Sequence, residues 1–126
     1  MKLHEYQSKK ISSEFGIPVP RGRIASNPDE AKHIAEELGD LVVVKAQVLV
    51  GGRGKAGGIR LTKDPLETQE AATQILEMKI KDLPVRKVLV EEGVSILQEI
   101  YLGITNDRTN ERPVLIASGS GGMEIE

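Results

Sequence analysis

Between residues 41 and 50 the chain reads LVVVKAQVLV. In extended backbone, where side chains alternate faces, that run divides unevenly. Val42, Val44, Ala46, Val48 and Val50 fall on one wholly apolar face; Leu41, Val43, Lys45, Gln47 and Leu49 fall on the other. A period of two predicts strands at about 22–25, 41–49, 58–62, 86–92, 97–105 and 112–118. Helical signals mark three further stretches. Residues 4–15 read as a short helix, stopped by Gly16 and the prolines of GIPVP. Over 28–38, Asn27 is placed to cap, Pro28 opens the first turn and Glu30 stands three after the cap. Ala31, Ile34, Ala35 and Leu38 make its apolar stripe, and Gly39 ends it. KDPLETQEAATQIL repeats the design, with Asp64 as cap, Pro65 next, Glu67 three on, and Ala72, Ile75 and Leu76 inward.

The resulting order is helix, strand, helix, two strands around a glycine loop, helix, then three strands. The glycine loop and the polar turn NDRTNER each join two strands as a hairpin. Antiparallel pairing follows, so the predicted class is α+β rather than a doubly wound parallel sheet. At 126 residues the chain is long enough to bury a core of its own.

Composition narrows the chemistry. A net charge of −2 and only three aromatic residues, Tyr6, Phe15 and Tyr101, argue against a nucleic-acid binder that relies on a positive field or on base stacking. With no cysteine, disulfides and thiolate metal sites are excluded. The opening MKLHEYQ has no character of a targeting peptide, and no apolar run approaches a membrane span, so a cytoplasmic location is expected. The ending ASGSGGMEIE reads as a glycine turn entering another element, as in a piece of a longer protein.

Lys45 and the glycines after it carry the strongest chemical signal. An ammonium among aliphatic neighbours either reaches water or faces a cleft where an anion meets it. The next eight residues, GGRGKAGG, let backbone N–H groups converge on an anion, with Arg53 and Lys55 adding charge. A phosphate suits that loop; a plain hairpin tip is the alternative. The P-loop pattern fails, because Ala56 follows Lys55 and no glycine stands at position 49. Gly52, Gly54 and Gly57 satisfy G-x-G-x-x-G, but the following GIRLTKDP is a strand rather than an opening helix. A glycine-rich flap between antiparallel strands, closing over a nucleotide's phosphates within reach of Lys45, fits better.

KVLVEEGVSILQEIYLGI supplies a second half. Val88 and Val90 share one face, and Leu89 and Glu91 the other. Such a strand end suits the edge of an adenine, with a carboxylate for the ribose hydroxyls. Ile100, Leu102 and Ile104 share a face, with Glu99, Tyr101 and Thr105 opposite. On pattern alone Glu91, Glu92 and Glu99 also read as a solvated edge.

LHEYQSKK, GIPVPRG, VVKAQVLVGGRGKAGGIRL, VLVEEGVSILQEIYLGI and GGMEIE resemble the start of succinate–CoA ligase (succinyl-CoA synthetase) β subunits, along the whole chain. The resemblance implies the N-terminal part of an ATP-grasp domain, with about 21–105 as the nucleotide-binding lid and 1–20 and about 106–126 in the adjoining subdomain. It assigns nucleotide binding to Lys45, to Gly52, Arg53 and Gly54 of the flap, to Glu91 and Val94 beside the adenine, and to Glu99 at the ribose. Pro20 matches ATP-using members. The implied reaction, in the citric acid cycle, is succinate + CoA + ATP ⇌ succinyl-CoA + ADP + phosphate. The phosphorylated histidine and the CoA site belong to a partner α subunit. Neither His4 nor His33 is expected to be catalytic, and magnesium ligands are expected beyond position 126. Ser12, Ser95 and Gln98 depart from the usual pattern, thinning the first helix's packing and altering charge beside Glu99. A malate– or citrate–CoA ligase subunit, or an autonomous folding module without ligand, are the alternatives.

Overall fold

In the computed structural model, which describes residues 2–122, the valine face of residues 42–46 is buried and its opposite face half-buried. The elements run α1 (Glu5–Glu14), β1 (Gly22–Ala25), α2 (Pro28–Leu38), β2 (Val42–Ala46), β3 (Ile59–Thr62), α3 (Pro65–Leu76), β4 (Lys79–Ile80), β5 (Leu83–Pro84), β6 (Val88–Glu92), β7 (Tyr101–Asp107) and β8 (Arg112–Ser118). Two units partition them, Met1–Val94 and Ser95–Glu126.

The first unit is built on an antiparallel sheet of order β1-β6-β2-β3. Val42, Val44, Ala46, Val88 and Val90 project from one face into a core closed by Ala31, Ile34 and Ala35 of α2 and Ala71, Ala72 and Ile75 of α3. Small alanines let both helices lie close to the sheet, which is how a chain this poor in aromatics fills its interior. The helices begin where the local pattern places them. Asn27 Oδ1 accepts from Glu30 N at 2.9 Å and Asp64 Oδ1 from Glu67 N at 2.8 Å, each satisfying a donor that the first turn leaves open.

Two boundaries and one hairpin depart from expectation. β2 ends at Ala46 rather than near 49: Gln47 N still donates to Lys87 O (3.0 Å), but the Ala46 carbonyl is taken by the Arg53 guanidinium (2.8 Å). β7 starts at Tyr101 rather than near 97, since its partner β8 ends at Ser118, opposite Tyr101. The β4–β5 hairpin was not predicted. Its turn holds Lys81 (φ 49°) and Asp82 (φ 65°) in the left-handed region, where asparagine and glycine are the usual signals.

One glycine is fixed by a close approach. A Cβ at Gly22 would lie 2.6 Å from Glu91 Cβ and 2.8 Å from the Val90 carbonyl, so only hydrogen fits where β1 passes Glu91.

The second unit contains the β7–β8 hairpin, paired from Tyr101↔Ser118 to Asp107↔Arg112. Leu102, Ile104 and Leu115 project from one side of it and are exposed. The loop 108–111 is organised by Asp107, whose Oδ1 accepts from Thr109 N (2.9 Å) and Asn110 N (3.2 Å). Of the GGMEIE motif, residues 123–126 lie outside the described residues.

Candidate nucleotide site

The sheet face opposite the two packed helices carries Lys45 and Glu91, as strand parity requires. What covers them is α1. None of its residues is buried, so the helix is not held by an apolar stripe. It is held by polar contacts instead. Glu5 Oε1 lies 3.1 Å from Lys45 Nζ and 3.1 Å from Lys9 Nζ, and Glu5 Oε2 lies 2.8 Å from Arg53 Nη2. Glu91, 3% exposed, joins the same cluster through Lys45 and Lys9. The Tyr6 amide adds a hydrogen bond to Gln47 Oε1 at 3.3 Å.

Lys45, Glu91 and Arg53 are therefore brought together, and Glu5 is the group that links them. Burial pushes the Glu5 carboxyl up, but the charges of Lys45, Lys9 and Arg53 and a hydrogen bond from Lys45 outweigh it, holding the pKa at about 2. Burial works against the Lys45 ammonium; hydrogen bonds and charge from Glu91 and Glu5 overcome this and raise its pKa above the ordinary lysine value. The Glu5 effect has a defined sign. A depressed native pKa stabilises the fold fully above the ordinary glutamate value of 4.5, and that stabilisation is lost as pH falls toward about 2. Urea midpoints are expected to fall across this interval, and Glu5→Gln to flatten the slope there; an unchanged slope in the variant would remove Glu5 as the cause.

The glycine loop is folded onto its own base. Gly52 (φ 79°) and Gly57 (φ 78°) take left-handed backbone, Ala56 N donates to Gly52 O (3.1 Å), and Gly58 N donates to Arg53 O (2.8 Å). Ala46 N donates to Gly58 O at 2.7 Å, closing the loop across β2 and β3. Arg53 points inward, to the Ala46 carbonyl and to Glu5, rather than outward at the loop tip.

Beside this cluster a cleft of about 480 Å³ lies between α1 and the sheet. Pro20, Gly22, Ile24, Leu89, Glu91 and Lys9 are among its lining residues. A second cavity, about 320 Å³, lies by His4, Tyr6, Gln47 and Lys87 and contains none of the site residues read from the sequence.

The reading of Glu91 and Glu92 as a solvated edge separates in two. Glu92 is a surface group, held by Arg21 Nε at 2.8 Å, whereas Glu91 is buried because its cationic partners surround it. Val94 is half exposed at the end of the first unit. Glu99 belongs to the second unit, where its carbonyl accepts from Gly121 N (3.1 Å). His33 is a surface residue flanked by Glu36 and Glu37. Glu5 and Lys9 were missed as site residues; their i, i+4 spacing on a helix without an apolar stripe is the signal that would have found them. Among the described residues no group of three His, Asp or Glu side chains is placed to hold a metal ion, and no helix is long and apolar enough to cross a membrane.

Comparison with known proteins matches residues 2–126 to the ATP-grasp domain model. Relatives include the GDP-forming succinate–CoA ligase subunit beta of Thermus thermophilus, 56% identical over 126 residues, and the ADP-forming one of Roseiflexus sp., 55% identical. Both alignments cover 100% of this chain and 33% of the relative, so the chain spans about a third of the length of the curated relatives it matches. The motif resemblance thus extends to sequence identity along the whole chain. Among solved structures, a Pyrococcus horikoshii protein superposes with TM-score 0.81 at 25% identity, over 98% of this chain and 54% of its own. A Ca. Korarchaeum cryptofilum dinucleotide-forming acetyl-coenzyme A synthetase, solved with coenzyme A and Ca-AMPCP, gives 0.81 at 24% identity, over 93% and 53%. The α+β ATP-grasp architecture is borne out.

Proposed function

Because the chain belongs to the ATP-grasp domain family, we propose that it is the nucleotide-binding segment of an ADP-forming succinate–CoA ligase β subunit. The observation that carries this reading is the meeting of Lys45 and Arg53 at one point of the fold, from a strand and from the glycine loop that follows it. Two cations on independent elements make a fork for phosphoryl oxygens. The adjoining cleft, lined by Pro20 and Glu91, supplies apolar walls and a strand edge for a purine. Pro20 supports ATP over GTP, the choice that the relatives' names divide on.

In this reading Lys45 and Arg53 hold phosphate, Gly52 and Gly54 keep the flap backbone clear, Glu91 and Val94 line the base, and Glu99 takes the ribose. The family's magnesium-bound ATP fits the cation pair at its phosphate end; the metal's own ligands lie beyond this segment. ATP's terminal phosphoryl group would pass to a histidine of an α subunit and from there to the acid, where coenzyme A bound on that subunit would displace it as phosphate, so this segment positions nucleotide and supplies no catalytic residue. Calorimetric titration of the 126-residue chain tests it: weak binding of Mg-ATP, weaker binding of AMP and none of NAD are expected, with no ligase turnover. Equal affinity for ATP and adenosine would remove the phosphate role of the cluster.

A further inference from the structure

We propose that the Glu5 carboxylate is an internal occupant of the phosphate seat, which nucleotide must displace, and so a negative determinant of nucleotide affinity. This rests on the phosphate role given above to Lys45 and Arg53.

Three observations lead to it. First, one carboxylate engages both of those cations, Lys45 through Oε1 (3.1 Å) and Arg53 through Oε2 (2.8 Å). A carboxylate is planar and anionic with two oxygens about as far apart as two phosphoryl oxygens, so it satisfies the same fork. Second, the cluster is nearly neutral as it stands. Lys9, Lys45 and Arg53 face Glu5 and Glu91, leaving a single positive charge in excess. Lys9 lies on α1 with Glu5, so withdrawal of the helix leaves Lys45 and Arg53 facing Glu91 alone: the single positive excess is kept and the Lys45–Arg53 fork is opened to a triphosphate. Third, α1 is suited to withdrawal. None of its residues is fully buried, and it is attached to the sheet by ion pairs and one amide contact to Gln47. The Lys45 and Arg53 side chains keep about a fifth of their surface in water, so a more highly charged anion can reach them and take the place of the Glu5 carboxylate.

The same contacts exclude Glu91 as the carboxylate that is exchanged. Glu91 reaches Lys45 and Lys9 but not Arg53, and it is fixed within β6 where Gly22 crosses it. Only Glu5 sits on an element free to move with it.

Titration of wild type and Glu5→Gln with Mg-ATP and with adenosine tests the exchange. Glu5→Gln is expected to bind Mg-ATP about tenfold more tightly, the scale of one charge-assisted hydrogen bond no longer in competition, with adenosine affinity unchanged. A variant that binds Mg-ATP equally or more weakly overturns the proposal and makes Glu5 a positioning residue. Phosphate-dependent binding by neither protein removes the underlying nucleotide reading and this proposal with it. Hydrogen exchange on wild type decides independently of how the variant folds: amides of α1 are expected to exchange faster with saturating Mg-ATP, and unchanged or slower exchange overturns the displacement.

Discussion

Lys45→Met is expected to weaken Mg-ATP binding by roughly one to two orders of magnitude, the equivalent of a charge-assisted hydrogen bond of ~1.5–3 kcal/mol. Methionine keeps the length and apolar stem of lysine while removing the ammonium, so packing against Val43 and Leu89 on that face is retained. The variant leaves Lys9 and Arg53 facing Glu5 and Glu91, a charge-balanced set, and the fold survives the change. Affinity measured by calorimetry at a temperature where both proteins are fully native is the deciding quantity. Wild-type affinity in Lys45→Met would show that the ammonium serves only its two carboxylates.

Removing the other side of the pair acts on stability. Glu91→Leu strips the most buried member of the cluster and leaves Lys9, Lys45 and Arg53 against Glu5 alone. Breaking a buried ion pair from one side typically costs 3–5 kcal/mol; because Lys9 and Lys45 each keep a quarter or less of their side chain in water, about 3 kcal/mol is expected. The double variant Lys45→Met/Glu91→Leu should regain much of that loss, since two apolar side chains of similar volume replace two charges. Its nucleotide affinity should remain as low as that of Lys45→Met. Urea unfolding of the four proteins yields the coupling, and strictly additive losses would mean that Lys45 and Glu91 do not act as a pair.

The parts of the fold that were legible in the sequence are those set within a few residues. Asn27-Pro28 with Glu30, and Asp64-Pro65 with Glu67, fix two helix starts, because a cap needs only its own first turn. Face parity along 42–46 and 88–91 likewise depends on backbone geometry alone, and it put Lys45 and Glu91 on one side of the sheet. Parity says which way a side chain points but not what it meets there. The partner of Glu91 stands 82 residues earlier, on a helix with no apolar stripe to announce that it lies against the sheet. For the same reason the anion at Lys45 was expected to come from a ligand, when the fold supplies two carboxylates. The β4–β5 turn escaped notice because Lys81 and Asp82 adopt backbone that glycine or asparagine ordinarily marks. Sheet order was also beyond local pattern: hairpins place β2 beside β3 and β7 beside β8, yet nothing near β1 says that its neighbour is β6.

That last pairing has a consequence for biosynthesis. β6 is inserted between β1 and β2, and among the described residues β1 has no other strand partner. As the chain leaves the ribosome, β1 must therefore wait until residues 88–92 emerge, while within this sheet the β2–β3 hairpin forms on its own schedule. Glu91 arrives on that same strand, so the helix at the amino terminus waits too, its Lys9 without a seat. A nascent chain stalled before residue 88 exposes two open strand edges of a valine-rich sheet, the condition that invites pairing with other chains. One late pentapeptide closes the sheet and the ion cluster in a single event.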